Sequence, residues 1–374
     1  MQGIYIHIPY CRRKCSYCNF YFMVSERTID SFLEALIREI ELSVDFFAEK
    51  SLSTIYFGGG TPSRLDFQKL KRIITRIKEI YKLEDIKEIT LEANPDDINI
   101  EYIRNIASLG INRISLGVQS FHDHELRIFN RSHNKDTAIN SVKICRENGI
   151  ENLSIDLIFG VPGSDLKSWK KNLDVFLDLD IDHLSCYNLT IEHKTVLYHK
   201  IKTGQISEPN EAFCTDQFLE TIEYLEANGF EHYEISNYAK NGRYAVHNTN
   251  YWKGYHYLGL GPSAHSYNGE QRFWNIANTR KYIKVIGNGN FPREYETLSK
   301  SDKYNEFIMT GLRTMWGIDI ERIKQFEVGT EEKFSEKVIT FIEKDLMKEV
   351  NGVYKLTKKG KLFADSIASD LFIE

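Results

Sequence analysis

Six short apolar strands, each followed by an amphipathic helix, constrain this chain more than any other feature. Strands are expected at Gly3–Ile8, Thr54–Phe57, Glu88–Glu92, Arg113–Val118, Asn152–Phe159 and His183–Asn188. After the first, Ile29, Phe32, Leu33, Leu36, Ile37 and Ile40 recur at helical spacing. Leu70, Ile73, Ile74, Ile77 and Ile80 do the same after the second, and Ser168–Leu179 reads as a further helix. Repeated strand-then-helix units imply an α/β fold with a parallel sheet, curling into a partial (β/α)6 TIM-like barrel. In such a fold the chemistry sits at the C-terminal ends of the strands, so the residues just after each strand carry the most information.

The chain has 374 residues, more than one such barrel needs. From about 190 to 298 the pattern loosens. A helix is expected over Glu211–Asn228 and a strand over Tyr233–Ser236, followed by the aromatic- and glycine-rich stretch HNTNYWKGYHYLGLGPSAHSY. From Ser299 the pattern changes again. Helices near Lys303–Met315 and Glu331–Lys344 precede a hairpin-like VNGVYKLT and a last helix over Lys358–Leu371. This divides the chain into a core with its extension over 1–298 and a small winged-helix-like domain over 299–374.

Several function classes are excluded. Mean hydropathy is −0.40 and no uncharged apolar run approaches spanning length, which argues against a helical membrane protein. No signal or transit pattern opens the sequence, so a cytoplasmic location is expected. A net charge of −5 argues against a nucleic-acid binder that relies on phosphate neutralisation.

Three of the six cysteines crowd together: Cys11-Arg-Arg-Lys-Cys15-Ser-Tyr-Cys18, directly after the first strand. A disulfide framework would spread its cysteines through the chain; this cluster reads as metal or redox chemistry. Three thiolates on one loop can hold three corners of a cubane iron–sulfur cluster, leaving one iron with an open position. Arg12, Arg13 and Lys14 would favour the thiolates and offset cluster charge. The alternative is structural zinc, with His7 or a distant cysteine as fourth ligand, although no second C-x2-C pair is present. Cys145 and Cys186 read as core residues.

The strand ends carry polar groups. Gly58-Gly59-Gly60-Thr61-Pro62 closes the second strand, where glycines let backbone N–H groups approach a ligand. Glu92 ends the third strand, Gln119 the fourth, Arg131 follows in FNRSH, and Asp156 lies in the fifth. One such residue would pair structurally; four successive strands offering one each favour a shared polar ligand. Glu92 and Asp156 suit ribose hydroxyls or an ammonium, and Arg131 suits a carboxylate.

The cysteine spacing, placed after a first strand and ahead of repeated β/α units, resembles the radical S-adenosylmethionine (SAM) superfamily. The resemblance implies a [4Fe–4S] cluster on Cys11, Cys15 and Cys18, with SAM chelating the open iron. It further implies SAM contacts at Tyr5, Tyr17, Gly59, Gly60, Thr61, Glu92, Gln119, Arg131 and Asp156, with Tyr17 against the adenine. The segments YIHIPYCRRKCSYCNF, GGGTPS, LEANPDD, RISLGVQSF, DLIFGVPG, HYEISNYA and HNTNYW, in this order, look like the oxygen-independent coproporphyrinogen III oxidase branch of the superfamily. Within that branch the dehydrogenase, a radical SAM decarboxylase of porphyrin biosynthesis, carries a further cysteine two residues after the third ligand, and a long N-terminal extension. Here Phe20 holds that position and the first strand begins at Gly3. These departures match the radical SAM heme chaperone family instead, and the dehydrogenase stands as the alternative.

That family carries an H-N-x-x-Y-W motif, present as His247-Asn248-Thr249-Asn250-Tyr251-Trp252. The resemblance makes His247, Asn248, Tyr251 and Trp252 heme residues, with His247 the axial ligand. Tyr255 and Tyr257 could cover the macrocycle. From the residues alone, these aromatics are core and His247 hydrogen-bonds structurally; His256 and His265 are alternative ligands. The implied partners are heme or a porphyrin, a heme-acceptor protein, an electron donor for the cluster and a second copy in a homodimer.

Overall fold

The computed structural model describes all residues, Met1–Glu374. Six parallel strands lie in chain order side by side: β1 (Gln2–Ile8), β2 (Thr54–Gly59), β3 (Glu88–Ala93), β4 (Arg113–Gln119), β5 (Asn152–Phe159) and β6 (His183–Asn188). Each lies within two residues of its sequence expectation. Their side chains alternate strictly. Ile4, Ile6 and Ile8 of β1, Ile55 and Phe57 of β2, Ile89 and Leu91 of β3, and Ile114, Leu116 and Val118 of β4 join the main apolar core with the flanking helices. Burying each stabilises the fold by about 1.5–3 kcal/mol, so a one-residue slip, which would turn all of them inward, is strongly opposed.

The opposite face is polar. Thr54, Glu88, Thr90, Arg113, Ser115, Ser154, His183 and Ser185 sit there, all buried. Barrel interiors are more commonly layered with branched aliphatics. Here the buried polar groups pair with one another: across neighbouring strands, Ser154 Oγ with His183 Nδ1 at 2.7 Å and Ser115 Oγ donating to Asp156 Oδ1 at 3.2 Å; along β3, Thr90 Oγ1 donating to Glu88 Oε1 at 3.0 Å.

The region from 190 to 298, irregular to the eye, extends this same sheet at both edges. β7 (Glu231–Glu234) and β8 (Asn237–Ala239) add an antiparallel hairpin beyond β6. The single strand expected over Tyr233–Ser236 is therefore the end of β7 and the turn into β8: Glu234 accepts from Ser236 N (3.0 Å) and Asn237 Nδ2 (2.6 Å) and folds the chain back. On the other edge β9 (His256–Leu260) runs parallel to β1, followed by antiparallel β10 (His265–Tyr267), β11 (Gln271–Asn275) and β12 (Arg293–Thr297). β9 and β10 press so closely that a Cβ at Gly259 would lie 2.0 Å from His265 O.

A second, separate apolar core runs from Tyr304 to Leu371. It packs the helices Lys300–Leu312 and Thr330–Glu343 on a small sheet of β13 (Ile318–Asp319), β14 (Met347–Val350) and β15 (Val353–Leu356). Asn351 (φ 55°) and Gly352 (φ 78°) form the two-residue turn that the Asn-Gly pair predicts. The last helix is split into Lys358–Lys361 and Ala364–Leu371. The first piece is held against the strand entrance, where a Cβ at Gly360 would lie 1.8 Å from Leu346 O. No helix is long and apolar enough to cross a membrane.

Candidate functional site

The cysteine loop leaves β1 and is closed at its neck. Cys11 N donates to Met23 O (2.9 Å) and Met23 N to Pro9 O (2.6 Å). It is then fastened across the C-terminal rim of the strands. Ser16 N donates to Phe129 O (3.0 Å), Ser16 Oγ to Ile128 O (2.6 Å), Asn130 Nδ2 to Lys14 O (2.8 Å) and Leu197 N to Ser16 O (2.8 Å). All three thiols are free and half-buried.

Thr61 Oγ1 donates to Cys11 Sγ and Arg131 Nη1 to Cys15 Sγ, each at 3.4 Å. Burial pushes the Cys11 thiol up to about 11 and raises Cys18 as well. Thiols so placed need an electrophile to hold them ionised, and a coordinated metal does so outright. The sulfurs do not converge as ligands of one ion would. A cubane takes each thiolate on a different iron, and donors aimed at the sulfurs fit that anionic group, so Cys11, Cys15 and Cys18 would hold it. The closed zinc site with His7 lacks support, because His7 Nδ1 meets Tyr5 Oη (3.1 Å) and Nε2 donates to Tyr21 O (3.0 Å).

The rim beside the loop assembles the polar strand ends. Gly59 has φ 108°, open chiefly to glycine, and its N–H donates to Glu92 Oε2 at 3.1 Å. A Cβ at Gly60 would lie 2.8 Å from Ile8 O and 2.9 Å from Tyr10 O, so this backbone runs directly against the root of the cysteine loop. Glu92 Oε1 accepts from Tyr56 Oη at 2.7 Å. Desolvation, with the Asp156 charge nearby, pushes the Glu92 carboxyl up to about 7. Asp156 is likewise raised by burial.

A bulge in β4 puts Gln119 at φ 72°, a left-handed backbone unusual for this residue. Its side chain passes close over Gly117, where a Cβ would lie 2.9 Å from Gln119 Nε2. Arg131 Nη2 donates to Asn94 Oδ1 and Gly117 O, both at 2.6 Å, and its buried Nε has no partner. Tyr17 stands edge-on to Phe129, ring centres 5.1 Å apart. The structure thus brings together Tyr5, Tyr17, Gly59, Gly60, Thr61, Glu92, Gln119, Arg131 and Asp156 around the barrel mouth beside the three cysteines. An ammonium suits Glu92, and a carboxylate suits Arg131.

A cavity of about 430 Å3 opens from this rim toward β9 and β10. Its walls are Tyr5, Phe20, Tyr21, Tyr251 and Tyr257, with His7, Gly59, Glu92, Ser263 and His265 supplying the polar positions. Phe20 is 69% exposed at the mouth.

The HNTNYW segment is a short helix, Val246–Trp252, and it divides its residues differently from the sequence expectation. Tyr251 lines the cavity. His247 is 1% exposed, at the N-terminal end of the strands: Nδ1 meets Thr54 Oγ1 at 2.8 Å and Nε2 meets Tyr251 Oη at 2.7 Å. Burial and the nearby Arg113 lower its pKa to about 3. Neither nitrogen is open to an iron, so in this conformation the axial-ligand role expected of His247 is corrected to a structural one, the reading its aromatic surroundings alone gave. Trp252 faces away from the cavity, under the Arg313 guanidinium at 5.5 Å. Asn248 is half-buried beside them.

A polar layer escaped the sequence reading. Glu88 accepts from Val246 N (2.8 Å) and His247 N (3.1 Å), Arg113 lies 4.0 Å from Glu88, and His183 Nε2 meets Tyr233 Oη at 2.7 Å. These residues seal the N-terminal end of the barrel. Their signal was present as a charged or imidazole side chain opening each of three strands.

A family model of the radical SAM superfamily matches residues 5–176, and one of the HemN C-terminal domain matches residues 298–363. The chain is 34% identical over 372 residues to the heme chaperone HemW of Bacillus subtilis (strain 168), covering 98% of each. It is 32% identical over 326 residues to the mitochondrial radical S-adenosyl methionine domain-containing protein 1 of Danio rerio, covering 84% of this chain and 73% of that one. The solved structure of coproporphyrinogen III oxidase (HemN) from Escherichia coli aligns with a TM-score of 0.86 at 24% identity, covering 99% of this chain and 90% of that one, which shows a shared fold. By these matches and by the core that carries its cysteine loop, the chain belongs to the radical SAM superfamily and, within the HemN-like branch, to the HemW family.

Proposed function

We propose that this chain is a heme chaperone that binds heme and passes it to acceptor proteins. Cys11, Cys15 and Cys18 hold a [4Fe–4S] cluster whose open iron takes an exchangeable SAM. The observation that carries the reading is the aromatic cavity that shares Glu92 and Gly59 with the polar rim. Five flat or ring side chains suit a macrocycle, and a half-open mouth suits a ligand that must leave again. The relatives named as heme chaperones support the same reading.

A bound, reduced cluster would be the source of one electron for the sulfonium cofactor. The chain's own residues do the rest. Glu92 would accept a hydrogen bond from the SAM amino group, Arg131 would pair with its carboxylate, Gln119 and Asp156 would hold the ribose, and Tyr17 would cover the adenine. Residues 1–298 carry these sites; residues 299–374 form the appended domain. A cytoplasmic setting, an electron donor, a heme-acceptor protein and a homodimer belong to the proposal; nucleic acid does not.

The test is anaerobic. Cluster-loaded protein titrated with heme is expected to saturate at one heme per chain and to pass it on to an apo-acceptor. Absence of stoichiometric uptake rejects the proposal. Formation of protoporphyrinogen and deoxyadenosine from coproporphyrinogen III, SAM and reductant would establish the decarboxylase in its place.

A further inference from the structure

We propose that His265 supplies the axial imidazole for heme in the aromatic cavity, with His247 positioning Tyr251 behind it. The inference rests on the heme-chaperone reading and names the ligand within it. Three imidazoles stand at or behind the cavity. His7 is 6% exposed, and both of its nitrogens are engaged by Tyr5 and the Tyr21 carbonyl. His247 is behind the Tyr251 ring, also with both nitrogens engaged. His265 alone is an exposed ring at the cavity edge.

The backbone that carries His265 is rigid while its side chain is free. His265 stands opposite Trp274 in the β10–β11 ladder, and Asn275 N donates to Ala264 O at 2.9 Å. Gly259 N donates to Ser266 Oγ at 2.9 Å, which binds β10 to β9. Ser263 enters the strand at φ 67°, a backbone fixed by its surroundings.

The cavity faces complete the site. Tyr257 and Tyr251 meet edge-on with ring centres 4.5 Å apart, and Phe20 supplies an exposed apolar face at the mouth. The step is a ligand exchange at ferric iron: an imidazole nitrogen lone pair forms the new bond, and the water or chloride held by free heme leaves. No electron is transferred. His247 acts through its 2.7 Å contact with Tyr251 Oη, fixing that wall of the cavity.

Ferric heme added to the full-length wild type, His265→Ala and His247→Gln separates these roles, read by Soret position and low-temperature electron paramagnetic resonance. The wild type is expected to bind one heme with an imidazole-ligated spectrum. His265→Ala is expected to lose that spectrum and at least about tenfold in affinity, and added free imidazole should restore the spectrum. Because His265 is exposed, circular dichroism should show an unchanged fold. His247→Gln is expected to weaken binding while keeping the ligated spectrum. Retention of the wild-type spectrum by His265→Ala, or its loss in His247→Gln alone, overturns the assignment and leaves the chaperone reading intact. A wild type that takes up no heme removes both.

Discussion

Among single residues, Glu92 shows how the barrel interior sets a charge. The carboxyl accepts from Tyr56 and Gly59, yet desolvation outweighs both bonds and moves it to about 7. A carboxyl raised in the folded chain contributes less stability as pH climbs from its ordinary 4.5 to about 7, so without a ligand it weakens the fold above neutrality. A ligand amino group that donates an N–H to this carboxyl reverses this, because it bonds best to the ionised form. SAM affinity of the cluster-loaded protein is therefore expected to fall as pH drops below about 7. Glu92→Gln should flatten that pH profile and weaken binding at pH 8 by roughly ten- to a hundredfold, about 1.5–3 kcal/mol for a hydrogen bond to a charged group. Equilibrium dialysis at several pH values decides it; a Glu92→Gln profile as steep as wild type would contradict the assignment. Glu92 was legible only in company: one polar strand end would pair structurally, whereas four successive ones favour a shared ligand. His247 misled because a motif gives proximity in sequence, while the direction of an imidazole depends on Thr54 and Tyr251, 193 residues upstream and four downstream.

Among elements, the glycine end of β2 couples the rim to the cysteine loop. Gly60→Ala would drive a Cβ into the backbone oxygens of Ile8 and Tyr10, neither of which can yield without moving the loop root. After anaerobic reconstitution this variant is expected to retain less than half of the wild-type iron and sulfide per chain. Gly287→Ala, whose Cβ meets nothing within 4 Å, should retain all of it. Equal iron loading in the two variants would show that the rim and loop are independent. The six parallel strands were readable because each is an apolar segment of at least six residues set between helices with clear apolar stripes. β8 and β10 have three residues each and β7 four, too few to show a period. β8 becomes a strand because β6 offers an unpaired edge, and β7 then pairs with β8; β10 becomes one because β9, itself paired with β1, offers another.

Across the whole molecule, the two apolar cores meet at a polar seam. Arg313 reaches Glu234 at 3.3 Å and Asp365 at 2.9 Å, while its guanidinium covers Trp252. Lys361 Nζ meets His232 Nδ1 at 2.8 Å, and desolvation lowers this lysine to about 8. A lysine depressed from its ordinary 10.5 weakens the folded state fully below pH 8, and the loss fades as pH rises toward 10.5. Lys361→Met is therefore expected to raise the melting temperature by a few degrees at pH 7, for about 1 kcal/mol gained, and by less at pH 10. Calorimetry at the two pH values checks it. A variant that melts lower at pH 7 would mean that the lysine holds the seam together.

Sequence alone determined the barrel, the cysteine loop and the polar rim, because each is encoded locally: alternation along a strand, three thiols within eight residues, a carboxylate or glycine at a strand end. Tertiary structure decided which aromatic and imidazole side chains share a cavity. β9 inserts beside β1, and β10 folds back from it, so residues near 260 come to stand against residues 5 to 21. That pairing turns His247 inward and leaves His265 at the mouth, and no periodicity near either histidine records it, since the choice depends on strand contacts made across more than two hundred residues of chain.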